Sequence, residues 1–402
     1  MENEILWVEN NMPETKDEHL SIMSLEEVRN ARRFHQSIPQ YSNTPLAKLD
    51  HMAEYLGIKE LYVKDESYRF GLNAFKVLGG SFAMAKYIAK QTGRKVSELT
   101  YDVLISDELK SEFGHATFFT ATDGNHGRGV AWAANKLHQK AVIFMPKGTT
   151  QPRLDSILRE NATATIEDAN YDECVRMAAQ AAAETKNGVV VQDTAWEGYE
   201  EIPSWIMQGY GTMAMEADEQ LSGYGCVRPT HVFVQAGVGS LAGAVQGYFA
   251  NRFPEAPPVT VVVEAEAAAC LYKSALSGDG SVKIVDGDME TIMAGLACGE
   301  PNYIAWDILK NHVKVFVACP DWVAANGMRM LAAPMKGDPQ VVSGESGAVT
   351  MGLVASVLKD PQYQQLREAI GLNSESRVLL FSTEGDTDPD RNKAIVWEAQ
   401  ER

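Results

Sequence analysis

Three sets of residues in this sequence could do chemistry. Lys76 lies in the segment GLNAFKVLGG (Gly71 to Gly80), between Phe75 and an apolar, glycine-rich start of a helix where a solvated lysine would be out of place. Desolvation there disfavours the ammonium and frees the amine to act as nucleophile or base. The competing reading is a lysine whose stem covers apolar surface while its head stays in water. The second set is Gly237-Val-Gly239-Ser-Leu-Ala-Gly243, where small residues let backbone N–H groups wrap an anion at a helix N-terminus. A phosphate is the natural guest. The spacing GxGxxxG departs from the dinucleotide pattern GxGxxG, and no Gly-Lys-Ser/Thr follows, so a plain helix-packing turn stays open and a nicotinamide oxidoreductase is poorly supported. The third set is two carboxylates, Asp123 and Asp193, each after an apolar run. Asp123 could instead cap the helix after Asn125, and Asp193 could be a turn residue.

Elements must position these groups. Short β-branched or aromatic runs recur at Leu61 to Val63, Ala116 to Thr120, Ala141 to Met145, Val189 to Gln192, His231 to Gln235, Val259 to Val263, Val313 to Val317 and Val378 to Phe381. Longer segments of helical period separate them. After Asn125, for example, Val130, Ala133, Ala134 and Leu137 share one face. Continuous apolar strands alternating with helices imply an α/β fold with a parallel sheet covered on both faces. TDGNHGRG (Thr122 to Gly129), Asp193-Thr194, AGVGSLAG (Ala236 to Gly243) and STEGDTD (Ser382 to Asp388) all follow strands, and the carboxyl edge of an open α/β sheet is where ligands bind.

With 402 residues, the chain exceeds what a single core organises, so two lobes are expected. Its formal charge of −18 argues against nucleic acid or an anionic membrane as partner. No apolar run is long enough to span a membrane, and the acidic amino-terminal stretch lacks a secretory leader's pattern, which leads to a cytoplasmic expectation. Five cysteines, Cys174, Cys226, Cys270, Cys298 and Cys319, show no CxxC and read as small buried hydrophobes.

Asn73-Ala-Phe75-Lys76, Asn125-His126, the glycine loop and the serine of STEGDTD stand in the order and rough spacing of fold-type II pyridoxal-phosphate enzymes, the threonine dehydratase and tryptophan synthase β superfamily. The resemblance runs from Thr44-Pro45-Leu46 to Asp388. Within it, Ala121 to Ala134, Val191 to Tyr199, Ala294 to Asn302 and Ser343 to Val349 resemble the diaminopropionate ammonia-lyase subfamily. The resemblance implies two open, twisted, mainly parallel sheets flanked by helices, with the cofactor in the cleft between a large domain (1–87 and 224–402) and a small one (88–223). It implies that Lys76 carries pyridoxal 5'-phosphate, that Asn125 bonds the ring hydroxyl oxygen, and that Gly237, Val238, Gly239, Ser240 and Leu241 cradle the phosphate. Ser382 would meet the pyridine nitrogen, with Thr383 as the other candidate. A homodimer is implied too.

Two departures from the common dehydratase pattern matter. Ala74-Phe75-Lys76-Val77-Leu78-Gly79 stands for Ser-Phe-Lys-x-Arg-Gly, and Thr122-Asp123-Gly124-Asn125-His126 for Ser-Ala-Gly-Asn-His. The second places a carboxylate where a hydroxy amino acid offers no counter-charge, whereas a substrate with a second amine does. The expected reaction is elimination of ammonia from D- and L-2,3-diaminopropionate, with Asp123 as base for D, Lys76 for L, and Asp193 beside the β-ammonium. A serine or threonine dehydratase and a cofactor-binding regulatory protein are the alternatives. His126, Tyr171, Trp196, Tyr199 and Trp205 read as structural or wall residues. Glu216 lies where some relatives bind a cation, but no metal is expected. A Cys270–Cys298 disulfide would run against a reducing compartment.

Overall fold

The computed structural model describes residues 4–13 and 15–401, so the first three residues of the acidic amino-terminal stretch lie outside the described range. Among the described residues, eleven strands form: β1 (Leu6–Glu9), β2 (Leu46–Lys48), β3 (Glu60–Asp65), β4 (Thr117–Ala121), β5 (Lys140–Met145), β6 (Thr163–Ile166), β7 (Gly188–Val190), β8 (His231–Gln235), β9 (Val259–Ala265), β10 (Val315–Cys319) and β11 (Arg377–Ser382). All eight expected runs become strands. The three unforeseen ones, β1, β2 and β6, all end a sheet.

The chain divides into two compact units. The larger takes residues up to Ser24, Asn43–Tyr68 and the chain from Met213, and the smaller takes Leu25–Ser42 and Arg69–Thr212. These bounds differ from a division at 88 and 223, because the segment bearing Lys76 packs in the smaller unit. The reason is steric. Helix Val77–Thr92 lies against helix Asn125–Lys136 so closely that a Cβ on Gly129 would sit 2.7 Å from the Val77 backbone nitrogen.

The larger unit holds a seven-stranded sheet in the order β1-β10-β9-β8-β11-β3-β2, with β1 and β2 antiparallel at its edges and the rest parallel. From β8 the chain steps outward to β9 and β10, then returns to β11 on the other side of β8. The smaller unit holds a wholly parallel sheet, β6-β5-β4-β7, which reverses in the same way between β4 and β7. Each sheet thus has a topological switch point, and the carboxyl ends of the two strands flanking it open onto a crevice. β8 and β10 are buried along their whole length, as strands covered on both faces should be. Among the described residues, no helix is long and apolar enough to cross a membrane.

Candidate active site

In the smaller unit, Lys76 and both acids lie around the switch point. Asp123 follows β4 and Asp193 follows β7. Lys76 immediately precedes helix Val77–Thr92, whose first turn is clamped from three sides. His35 bridges Thr212 and the Leu78 carbonyl at 2.8 and 3.0 Å. Gly79 faces Ile206 and Tyr210 so tightly that a Cβ would approach each to 2.6 Å, and a Cβ on Gly209 would meet the Leu78 carbonyl at 2.4 Å. Helix Asn125–Lys136 closes the third side through Gly129. Gly129 of TDGNHGRG is therefore there for helix packing, and the packing aims the lysine.

The Lys76 amine donates to Asp193 Oδ2 at 2.6 Å, and Tyr210 donates to the same oxygen at 3.3 Å. Desolvation was the expected device. What the structure shows is an ion pair, with Lys76 side-chain exposure of 20% against 3% for Asp193. Burial pushes the Asp193 carboxyl up, but the Lys76 charge leads the opposing effects, with the hydrogen bonds from Lys76 and Tyr210 adding to it, and holds it down at about 2. An ion-paired Asp193 is more than a turn residue. Burial also lowers the affinity of His126 for a second proton; its Nε2 donates to the Val191 carbonyl at 2.8 Å, fixing it as a neutral structural residue.

Asp123 does not cap the helix that follows, because Gly124 is the cap residue and no side chain bonds there. Its Oδ2 instead accepts from Arg153 Nη1 at 3.1 Å. Asn125 is the first residue of that helix.

In the larger unit, the glycine loop and the hydroxyl pair lie at the carboxyl ends of β8 and β11, the neighbours flanking its switch point. Gly239 has φ +98°, a conformation that favours glycine, and Ser240 opens the helix Ser240–Arg252. The AGLACGEPN segment braces this turn. Asn302 donates its backbone N–H to the Val238 carbonyl at 2.7 Å and its side-chain amide to Ser240 Oγ at 2.8 Å. A Cβ on Gly237 would come within 3.3 Å of Cys298 Sγ and of the Gly295 carbonyl. The SGESGAV segment supports the other half. Ser382 Oγ donates to Ser343 Oγ at 2.8 Å, and a Cβ on Gly347 would lie 2.8 Å from the Thr383 nitrogen. Thr383 Oγ1 accepts from Gln235 Nε2 at 2.7 Å, so the two candidate hydroxyls are held by different partners.

The chain matches the family model described as "Pyridoxal-phosphate dependent enzyme" over residues 38–369. It is 50% identical over 365 residues to the diaminopropionate ammonia-lyase of Salmonella typhimurium, covering 90% of each chain. The chain belongs to the diaminopropionate ammonia-lyase family. Two crystal structures of the Escherichia coli member superpose on it at 46% identity, each covering 99% of this chain and 98% of the other. One, in complex with an aminoacrylate-PLP azomethine reaction intermediate, has a TM-score of 0.90; the other, in complex with D-serine, has 0.91.

The residues fit the family's cofactor, pyridoxal phosphate. Around Gly237 the wall would crowd a Cβ at 3.3 Å, and the helix that begins at Ser240 brings its N-terminal N–H groups to the turn, as a phosphate requires. In the smaller unit, Lys76 presents an amine of the kind such a cofactor requires.

Several residues that brace the candidate side chains within each unit of this ammonia-lyase escaped sequence reasoning. Arg153, Tyr210 and Asn302 are three. A fourth, Gln192, accepts from Thr120 Oγ1 at 2.7 Å and donates to Tyr171 at 2.6 Å, tying β4 to the segment before Asp193. All five cysteines are unbridged thiols; Cys270 turns its sulfur toward the Gly237 and Cys298 carbonyls. At Glu216, a buried ammonium stands where a cation could be imagined: Lys64 Nζ donates to Glu216 Oε2 at 2.7 Å and to the Thr44 carbonyl and Gln220 Oε1 at 2.8 Å.

Proposed function

We propose that the protein eliminates ammonia from both enantiomers of 2,3-diaminopropionate, and that addition of water to the enamine product gives pyruvate and a second ammonia. It is a pyridoxal-phosphate-dependent carbon–nitrogen lyase. When bound, the cofactor supplies an electron sink for the pair left behind as the Cα proton departs. Lys76 would hold it covalently, the turn Gly237 to Leu241 would hold its phosphate, Asn125 its ring oxygen, and Ser382 or Thr383 its ring nitrogen.

The observation that carries the reading is the Lys76–Asp193 pair at 2.6 Å in a unit that also presents Asp123. Once the Lys76 amine is released, it takes the Cα proton of the L isomer on its nitrogen. Asp123 takes that of the D isomer on a carboxylate oxygen. Asp193, held ionised, is a counter-charge for an ammonium: that of Lys76 before substrate arrives, and that of the substrate's β-nitrogen during turnover. Amide anion is not a viable leaving group, so keeping that nitrogen protonated is the main demand on the site. The D-serine and aminoacrylate complexes of the Escherichia coli relative support both the D-isomer and the elimination parts of the proposal. A homodimer, resting on the superfamily resemblance, and a cytoplasmic location, resting on the acidic amino-terminal stretch without a secretory leader's pattern, complete it.

A pyruvate-release assay with D- and L-diaminopropionate, serine and threonine tests the reading. Turnover of both diaminopropionate isomers should exceed that of the hydroxy amino acids, and borohydride reduction should fix the cofactor to Lys76. Higher turnover of serine or threonine would make it a dehydratase.

A further inference from the structure

We infer that Arg153 is a positioning residue for Asp123, dedicating that carboxylate to the D isomer; this rests on the reading of Asp123 as the D-specific base. Arg153 Nη1 lies 3.1 Å from Asp123 Oδ2 and 3.4 Å from the carbonyl oxygen of the same residue. One guanidinium nitrogen thus grips both the side chain and the main chain of Asp123, which fixes the side-chain torsions as a contact to the carboxylate alone would not. Oδ1 receives no hydrogen bond from any described residue, so the grip leaves one oxygen to take a proton while the other stays bound.

The placement of Arg153 is costly in itself. It is the third residue of the helix Gln151–Leu158, in the first turn, where the helix dipole disfavours a cation. Its side chain is only 12% exposed, and its stem lies over Gly124, where a Cβ would meet Cδ at 3.3 Å. Glycine at 124 admits the stem, and the stem delivers the guanidinium to Asp123. A lysine could reach one oxygen as a point charge, but it could not reproduce the grip on both.

The test uses holoenzyme carrying Arg153→Met, Arg153→Lys, Asp123→Asn and the Asp123→Asn/Arg153→Met pair, with kcat and KM measured on each isomer beside the cofactor absorbance. Arg153→Met should lower the D to L ratio of kcat by about tenfold or more, and Arg153→Lys should give an intermediate ratio. In the Asp123→Asn background, Arg153→Met should change D turnover by no more than about twofold, since the two act as one unit. Equal losses on both isomers in Arg153→Met, or a double variant well below Asp123→Asn, would overturn the inference. Should Arg153→Met fail to fold, a wild-type D to L ratio in Arg153→Lys overturns it equally. Equal losses in Asp123→Asn alone would sink the reading of Asp123 itself, a result recognisable without any change at Arg153, and the inference with it.

Discussion

Asp193 lies at the carboxyl end of a short strand, buried, with an ammonium and a phenol on one oxygen. Its carboxyl is held at about 2 against an ordinary 3.8, so the pair contributes stability that is complete above the ordinary value and lost as pH falls through the folded one. The melting temperature of cofactor-free wild type should therefore exceed that of Asp193→Asn by a constant margin from neutrality down to about pH 4, and the margin should close toward pH 2. A margin already closing at pH 6 would mean that the pair is not what holds this carboxyl. Lys76, Asp123 and Asp193 were legible because each is an out-of-place charge at the end of an apolar run. Arg153 was not, since it acts on a residue 30 positions earlier and its helix carries no motif. The one clue was local: a cation in a helix's first turn asks for a reason.

At the scale of elements, the site depends on helices that touch through glycine. The clash expected of a Cβ on Gly129 is with backbone, at 2.7 Å from Val77 N and 3.1 Å from Lys76 C, so no rotamer can relieve it. Gly129→Ala should cost about 1–3 kcal/mol in urea unfolding, and, because it displaces the residue after Lys76, should also weaken pyridoxal-phosphate binding. A stable variant with unaltered cofactor affinity would refute this account of the motif. Seven of the eight strands readable from apolar runs lie inside their sheets, and β7, the eighth, ends one with only its middle residue buried. β6 was not readable: its residues TATI are partly or fully exposed, and an edge strand has less need of a hydrophobic run. β2, with three residues, is too short for any period to register.

For the whole molecule, one buried ion pair stands out within a chain of net −18. Lys64 and Glu216 are fully buried, and Lys64 ties β3 to helix Glu201–Gly223 and to Thr44. Lys64→Met should destabilise the protein by about 3–5 kcal/mol, since it strips the ammonium from a buried carboxylate. Adding Glu216→Gln should recover much of the loss, and a chemical-denaturation series on the two variants checks both. Two lobes were foreseeable from length alone. Their borders were not, because the Lys76 segment belongs with the smaller unit for a reason, the glycine contact, that no local pattern encodes.

The brace from Asn302 to the glycine turn has a consequence for how the protein acquires its cofactor. Asn302 Nδ2 reaches Ser240 across 62 residues of sequence, while the turn's own neighbours leave the Val238 carbonyl without this support. Contacts of such sequence separation close slowly, after local helices and hairpins. Phosphate affinity therefore waits on this brace, yet β3 pairs with β11 across a far longer stretch of chain, Glu60 with Arg377, so the turn that holds the phosphate is complete before the larger sheet that carries it.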